Sequence, residues 1–260
     1  MSYHFNLTRG GGTLCILSER IIKKKHHVSY NTILGMENAF MSQGVEIKNI
    51  SKVSYIINSI LKRTGVSSQV VLPFDVPKCQ MILFVAMSKN NLKAHRELLR
   101  KIASNHKLIL YCFDTWEADY NEWKILFSYI NPSHIFLAYQ ASVEYFSKKF
   151  SNVFFIPQSM DEKFFYPRDG IIKSRLFMQM GRKNQKIHEM ILDYLARLGL
   201  PDINENYVYE RIPRTIIFPD TNELAENICG TKYFVCAPQS DENSKLTGKC
   251  SDVTARFRCV

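Results

Sequence analysis

Short runs of β-branched, aromatic and aliphatic residues alternate with helix-period segments along most of this chain, and few architectures accommodate that order. TLCILS (13–18) reads as a strand, SYNTILGMENAFMSQG (29–44) as an amphipathic helix closed by Gly44, and VEIKNI (45–50) as a strand. SKVSYIINSILKR (51–63) again repeats its apolar residues at helical spacing. Strand QMILFVA (80–86), helix NLKAHRELLRKIASN (91–105) and strand KLILYCF (107–113) follow. Helix WEADYNEWKILFSYI (116–130), strand HIFLAY (134–139), helix SVEYFSKKF (142–150) and strand VFFIP (153–157) complete the series. Parallel strands joined by crossing helices are what such spacing builds, so the expected class is α/β, doubly wound. The strands at 80–86 and 107–113 are almost unbroken apolar runs, as strands covered on both faces should be.

QSMDEKFFYPRDGIIK (158–173) interrupts the alternation with Pro, Asp and Gly. Beyond it the pattern restarts with strand SRLFMQM (174–180), helix QKIHEMILDYLARLG (185–199), a loop opened by Pro201 and a short TIIF strand (215–218). Helix TNELAENIC (221–229) and strand KYFVCAP (232–238) come next. The expected domains are therefore 1–170 and 171–260, the second shorter than a complete doubly wound domain.

A hydrophobic content of 46% excludes a disordered chain, and 260 residues suffice for two modest cores. Lys and Arg total 34 against 24 acidic residues, a net charge of +10 that favours polyanions without choosing among phosphates, nucleic acid and lipid heads. The lysines are dispersed and no nucleic-acid motif accompanies them, so no specific nucleic-acid partner is expected. Seven cysteines, an odd number without a CxxC pair, read as buried reduced thiols in preference to zinc ligands or disulfides. The N-terminal residues lack a charged-then-apolar signal pattern, and no apolar stretch reaches the roughly 18 residues of a membrane span. A cytoplasmic location is the expectation.

Ligands of open parallel sheets bind outside the carboxyl ends of the strands, so the residues just after each strand are the candidates. At Gly181-Arg182-Lys183-Asn184-Gln185-Lys186 a strand ends, glycine permits a close turn and a helix opens with unpaired amides. Arg182 adds a planar fork of donors, and the corner suits a phosphate. A solvated basic turn capping a helix is the alternative. Asp114-Thr115-Trp116 follows another strand and either faces a cleft or supplies a helix cap with Trp116 packed beneath. KKKHH (23–27) either meets an anionic acceptor or membrane surface or is a solvated loop, and Gly10-Gly11-Gly12 precedes its strand, the wrong side for a dinucleotide fingerprint. The histidines lack metal-ligand spacing, and there is no DxD pair, GxSxG elbow or Walker loop. No metal and no cofactor are expected.

Three stretches, taken together, resemble the bacterial glycosyltransferases of the GT-B fold, of the glycosyl transferases group 1 type. FFIPQSMDEKFFYP (154–167), with Pro157, Asp161 and Phe165-Tyr166-Pro167, resembles the interdomain hinge of that family. LFMQMGRKNQKIHEMIL (176–192) is similar to the opening strand, Gly-Arg turn and first helix of its C-terminal domain, and SKLTGKCSDVTARF (244–257) to the segment before its donor-site helix. NTILGMENAFMSQGVEI (31–47) also resembles the first helix and second strand of the N-terminal domain. The resemblance implies two facing Rossmann-like domains and transfer of a sugar from a nucleotide-diphosphate donor to an unknown glycan, lipid or protein acceptor. It implies that Gly181, Arg182 and Lys186 hold the diphosphate, that Thr254 and Arg256 belong to the donor-site segment, and that Asp114 lies on the acceptor side. Where the family places a donor-contacting glutamate, Cys259 stands. A thiol is no substitute for a carboxylate acceptor; with that contact missing and the short second domain expected to be incomplete, transfer by this chain is expected to be impaired or replaced by a non-catalytic binding role.

Overall fold

The computed structural model describes residues 13–18, 28–49, 60, 64, 79–157, 163–179, 184–200, 203–209, 218 and 220–235. The chain divides into two compact units, the main division falling between Gln158 and Ser159. Each unit contains a parallel sheet, one of six strands and one of three. The class is α/β, compatible with Rossmann-like layers.

Up to the division the elements are β1 (Leu14–Ser18), α1 (Val28–Met41), β2 (Glu46–Asn49), β3 (Met81–Ala86), α2 (Lys89–Ala94), α3 (Arg96–Ala103) and β4 (Lys107–Cys112). A 3-10 turn (Glu117–Asp119), α4 (Tyr120–Ile130), β5 (His134–Leu137), α5 (Gln140–Phe146) and β6 (Val153–Phe155) follow. The strand order is β2-β1-β3-β4-β5-β6, all parallel. Alternate residues of the strands, including Cys15, Ile82, Phe84, Leu110 and Leu137, meet Leu92, Leu99, Trp123, Phe127 and Phe146 from the helices in one continuous core. The other residues of the same strands, Ile16, Leu83, Val85 and Tyr111, are buried too. Burial on both faces is what the unbroken apolar runs required. At the far end of this sheet the Tyr111 hydroxyl donates to the carbonyls of Ile156 and Pro157, at 3.2 and 3.1 Å. Cys15, Cys79, Cys112 and Cys229 are free thiols. Burial raises the Cys15 thiol to about 12, so it packs as a neutral core side chain.

Local chemistry sets where the helices stop. The Gly44 amide donates to the Met41 carbonyl and the Val45 amide to that of Phe40, the paired bonds of a Schellman end, with Gly44 at φ 78°. Gly199, at φ 68°, closes a later helix the same way through Gly199 to Ala196 and Leu200 to Leu195. One expected helix proves to be two. The 91–105 segment starts earlier, at Lys89, and breaks at His95, which leaves helical geometry at φ −115°, ψ 10°. Its ring meets the edge of Phe84 at 5.7 Å. No Pro or Gly announces that break, because a tertiary contact accompanies it.

The second unit holds β7 (Arg175–Gln179), α6 (Gln185–Arg197), α7 (Ile203–Asn206), β8 (Tyr207–Tyr209), α8 (Thr221–Cys229) and β9 (Thr231–Val235). The strand order is β8-β7-β9, again parallel. Ile191 and Leu195 of α6 pack on Phe177, Tyr207 and Val235. On the opposite face Leu224 and Ile228 of α8, with Phe218, cover Met178 and Phe234. Three layers result, helix on sheet on helix. The loop expected after Pro201 contains α7 and β8, a correction to the sequence reading. A three-residue strand directly after a single helical turn is too short to show a period. Among the described residues no helix is long and apolar enough to cross a membrane.

Candidate functional site

Both sheets reverse direction at their first strand. After β1 the chain lays β2 on one side and β3 on the other; after β7 it lays β8 on one side and β9 on the other. The carboxyl ends of β1 and β3, and of β7 and β9, are therefore topological switch points, where open α/β sheets bind ligands.

In the second unit the switch point lies at Gln179 and Val235, which are register partners. Gln179 is 1% exposed. Its Oε1 accepts a hydrogen bond from the Tyr207 hydroxyl at 2.8 Å, whereas its buried Nε2 has no hydrogen-bond partner among the described residues. The Tyr207 oxygen lies 3.4 Å from Nδ1 of His188, a buried residue of α6. Since the hydroxyl proton goes to Gln179, the Tyr207 oxygen is left to accept from a protonated Nδ1. Burial, with Tyr209 nearby, raises the Tyr207 hydroxyl to about 12, so it stays a donor at neutral pH. The His188 ring also sits 4.6 Å from that of Tyr209. Asn184 caps α6, its side chain accepting from the Ile187 amide at 3.2 Å. Lys186 stands in the first turn of α6 and is exposed, while Ile187 and His188 turn inward. Gly181 and Arg182 lie outside the described residues, as do Thr254, Arg256 and Cys259 of the donor-site segment, Asp161 of the hinge and the KKKHH run.

In the first unit Asp114 is half-buried at the end of β4 and accepts from the Tyr139 hydroxyl at 3.5 Å. Neither Asp114 nor Thr115 caps a helix: the 3-10 turn is preceded by Trp116 and α4 by Asp119, neither with a side-chain cap bond. Thr115 is committed elsewhere. Its hydroxyl donates to Ser142 Oγ at 2.9 Å, Ser142 donates back to the Thr115 carbonyl at 3.0 Å, and the Tyr120 hydroxyl lies 3.0 Å from the same Oγ. This buried knot is saturated and offers no activated nucleophile. Among the described residues no three His, Cys, Asp or Glu side chains are grouped to hold a metal ion.

Gln179, Tyr207 and His188 were not among the residues expected from the sequence. One signal was available. Gln179 is the polar interruption in the apolar run LFMQM, and a buried amide inside a strand needs partners. Compared with protein-family models, with curated proteins and with solved structures, the chain matches none of them.

Proposed function

We propose that the chain is a glycosyltransferase-like protein of the two-domain GT-B kind, built to hold a nucleotide-diphosphate sugar in its second unit and an acceptor in its first. The observation that carries the reading is the junction of β7 with α6. A central strand ends at a reversal of strand order, a capped helix opens six residues later, and Gly181-Arg182 falls between them in sequence. Helix amides and an arginine fork together suit a diphosphate. In sugar transfer the anomeric carbon's bond to the diphosphate breaks and negative charge grows on the departing oxygens. Arg182 and the α6 amides would stabilise that charge, and loss of one such donor costs about 3 kcal/mol of transition-state stabilisation.

Calorimetry of the full chain with UDP and GDP tests the reading. One of the two should bind, and Arg182→Ala should weaken that binding at least tenfold, as expected for loss of a charged hydrogen-bond donor. Unchanged affinity in Arg182→Ala would remove the phosphate role. Binding without sugar transfer or donor hydrolysis would leave a nucleotide-binding module of the same architecture.

A further inference from the structure

A buried amide nitrogen with nothing to donate to is costly, about 1–3 kcal/mol, and folded chains rarely tolerate one without a use. Gln179 carries such a nitrogen at the carboxyl end of the central strand of the second sheet. Three independent features surround it. It stands at the switch point between β7 and β9, where sheets of this order take their ligands. It lies six residues before the start of α6, a helix of 13 residues whose N-terminal end is electropositive. Tyr207 on β8 holds its amide by donating to Oε1, which leaves Nε2 as the unused arm. His188 in turn holds Tyr207. What the amide keeps in reserve is a pair of N–H donors and no acceptor.

We propose that Gln179 is a ligand-reading residue, donating through Nε2 to a phosphate oxygen bound at the N-terminal end of α6, with Tyr207 and His188 positioning its amide. The inference deepens the reading above and rests on it for the ligand class. It adds a contact of different physics. An arginine attracts an anion through charge and weakens as salt rises, whereas a neutral amide contributes through geometry and is scarcely screened. The site thereby gains a contact whose strength does not depend on ionic strength.

The test is titration of the full chain with inorganic pyrophosphate and with UDP, at low and high salt, in wild type, Gln179→Met, Tyr207→Phe and Arg182→Ala. Gln179→Met should weaken pyrophosphate binding about tenfold by the same factor at both salt concentrations. Tyr207→Phe should weaken it less, since the amide remains but is no longer held. The loss in Arg182→Ala should shrink at high salt. Wild-type affinity in Gln179→Met overturns the inference; if Arg182→Ala has meanwhile lost binding, the proposed function stands without it. Loss in Gln179→Met with none in Arg182→Ala supports the inference and removes the arginine's role. Absence of pyrophosphate and UDP binding by wild type overturns both. Should Gln179→Met fail to fold, the side-chain amide signals of the wild-type chain, labelled with 15N-glutamine, decide. Saturating pyrophosphate should move the Gln179 pair, and an unmoved pair sinks the proposal.

Discussion

The two units solve the same topological problem and leave their polar groups in different states. Both sheets are parallel, and both turn back across their first strand. In the first, Thr115 donates to Ser142, Ser142 donates back to the Thr115 carbonyl, and the Tyr120 hydroxyl lies against the same Oγ. In the second, Gln179 keeps a buried donor with no partner among the described residues. A circuit that closes on itself stabilises and specifies the fold, while an open one costs stability and is available to a ligand. On the function proposed above, recognition falls to the three-stranded unit, where that open amide stands.

The largest expected effect concerns the cores. Trp123 is fully buried in the core of the first unit, its ring tilted against that of Phe127 at 5.5 Å, itself in contact with Phe146 and Phe150. Trp123→Ala should cost about 3–5 kcal/mol, the range for large aromatic truncations in packed cores. Leu195→Ala, the equivalent insult to the smaller α6 core, should cost about 2–4 kcal/mol. Amide hydrogen exchange reads the two separately, through β4 for the first and β7 for the second. Equal losses would remove the asymmetry between the cores.

Next in size is the closed circuit. Ser142→Ala deletes the oxygen that accepts from Thr115 and lies against Tyr120, leaving buried hydroxyls without a partner, and should cost about 1–3 kcal/mol. Gln179→Met should cost less, because one arm of that amide has no partner to lose. Urea denaturation of both variants checks the ranking. A greater loss from Gln179→Met would mean that its side chain serves the fold first, contrary to the contrast drawn between the units.

How much of this was legible beforehand follows the same division. Strands 14–18, 81–86 and 107–112 were read almost residue for residue, because each is an apolar run long enough to declare a buried strand. Gly44 and Gly199 announced helix ends because a left-handed residue is needed there and glycine takes that geometry without strain. What the sequence concealed depended on distant partners. The break at His95 comes with a contact to Phe84, 11 positions earlier and on another element. β8 is three residues long and exists because Tyr207, Val208 and Tyr209 align with Phe177, Met178 and Gln179. For the candidate site, the turn after β7 could be read from local spacing, whereas the bond from Tyr207 to Gln179 spans 28 positions and could not.

The smallest effects concern the ion pairs, where the two units differ in redundancy. In the first, Lys89 reaches both Asp119 at 2.6 Å and Glu122 at 2.7 Å. The bond from Lys89 holds Glu122 below its ordinary carboxylate value of 4.5. A lowered carboxylate contributes stability that is present above 4.5 and lost as pH falls through the depressed folded value. Glu122→Gln should therefore flatten the acid limb of the stability profile slightly, leaving Lys89 still paired with Asp119. In the second unit Arg168, 15% exposed, bonds Glu226 at 2.7 Å and lies 5.2 Å from the Tyr166 ring, with a buried Nε that has no partner among the described residues. Glu226→Gln takes away a charge for which that guanidinium has no second carboxylate at hand among the described contacts, so it should destabilise more than Glu122→Gln at neutral pH. High salt should shrink both effects, the Glu226 effect somewhat less, since the Arg168 side chain is 15% exposed against 23% for Lys89. Urea midpoints at two salt concentrations measure both. Equal midpoints for the two variants would show that neither pair is coupled to its fold strongly enough to matter.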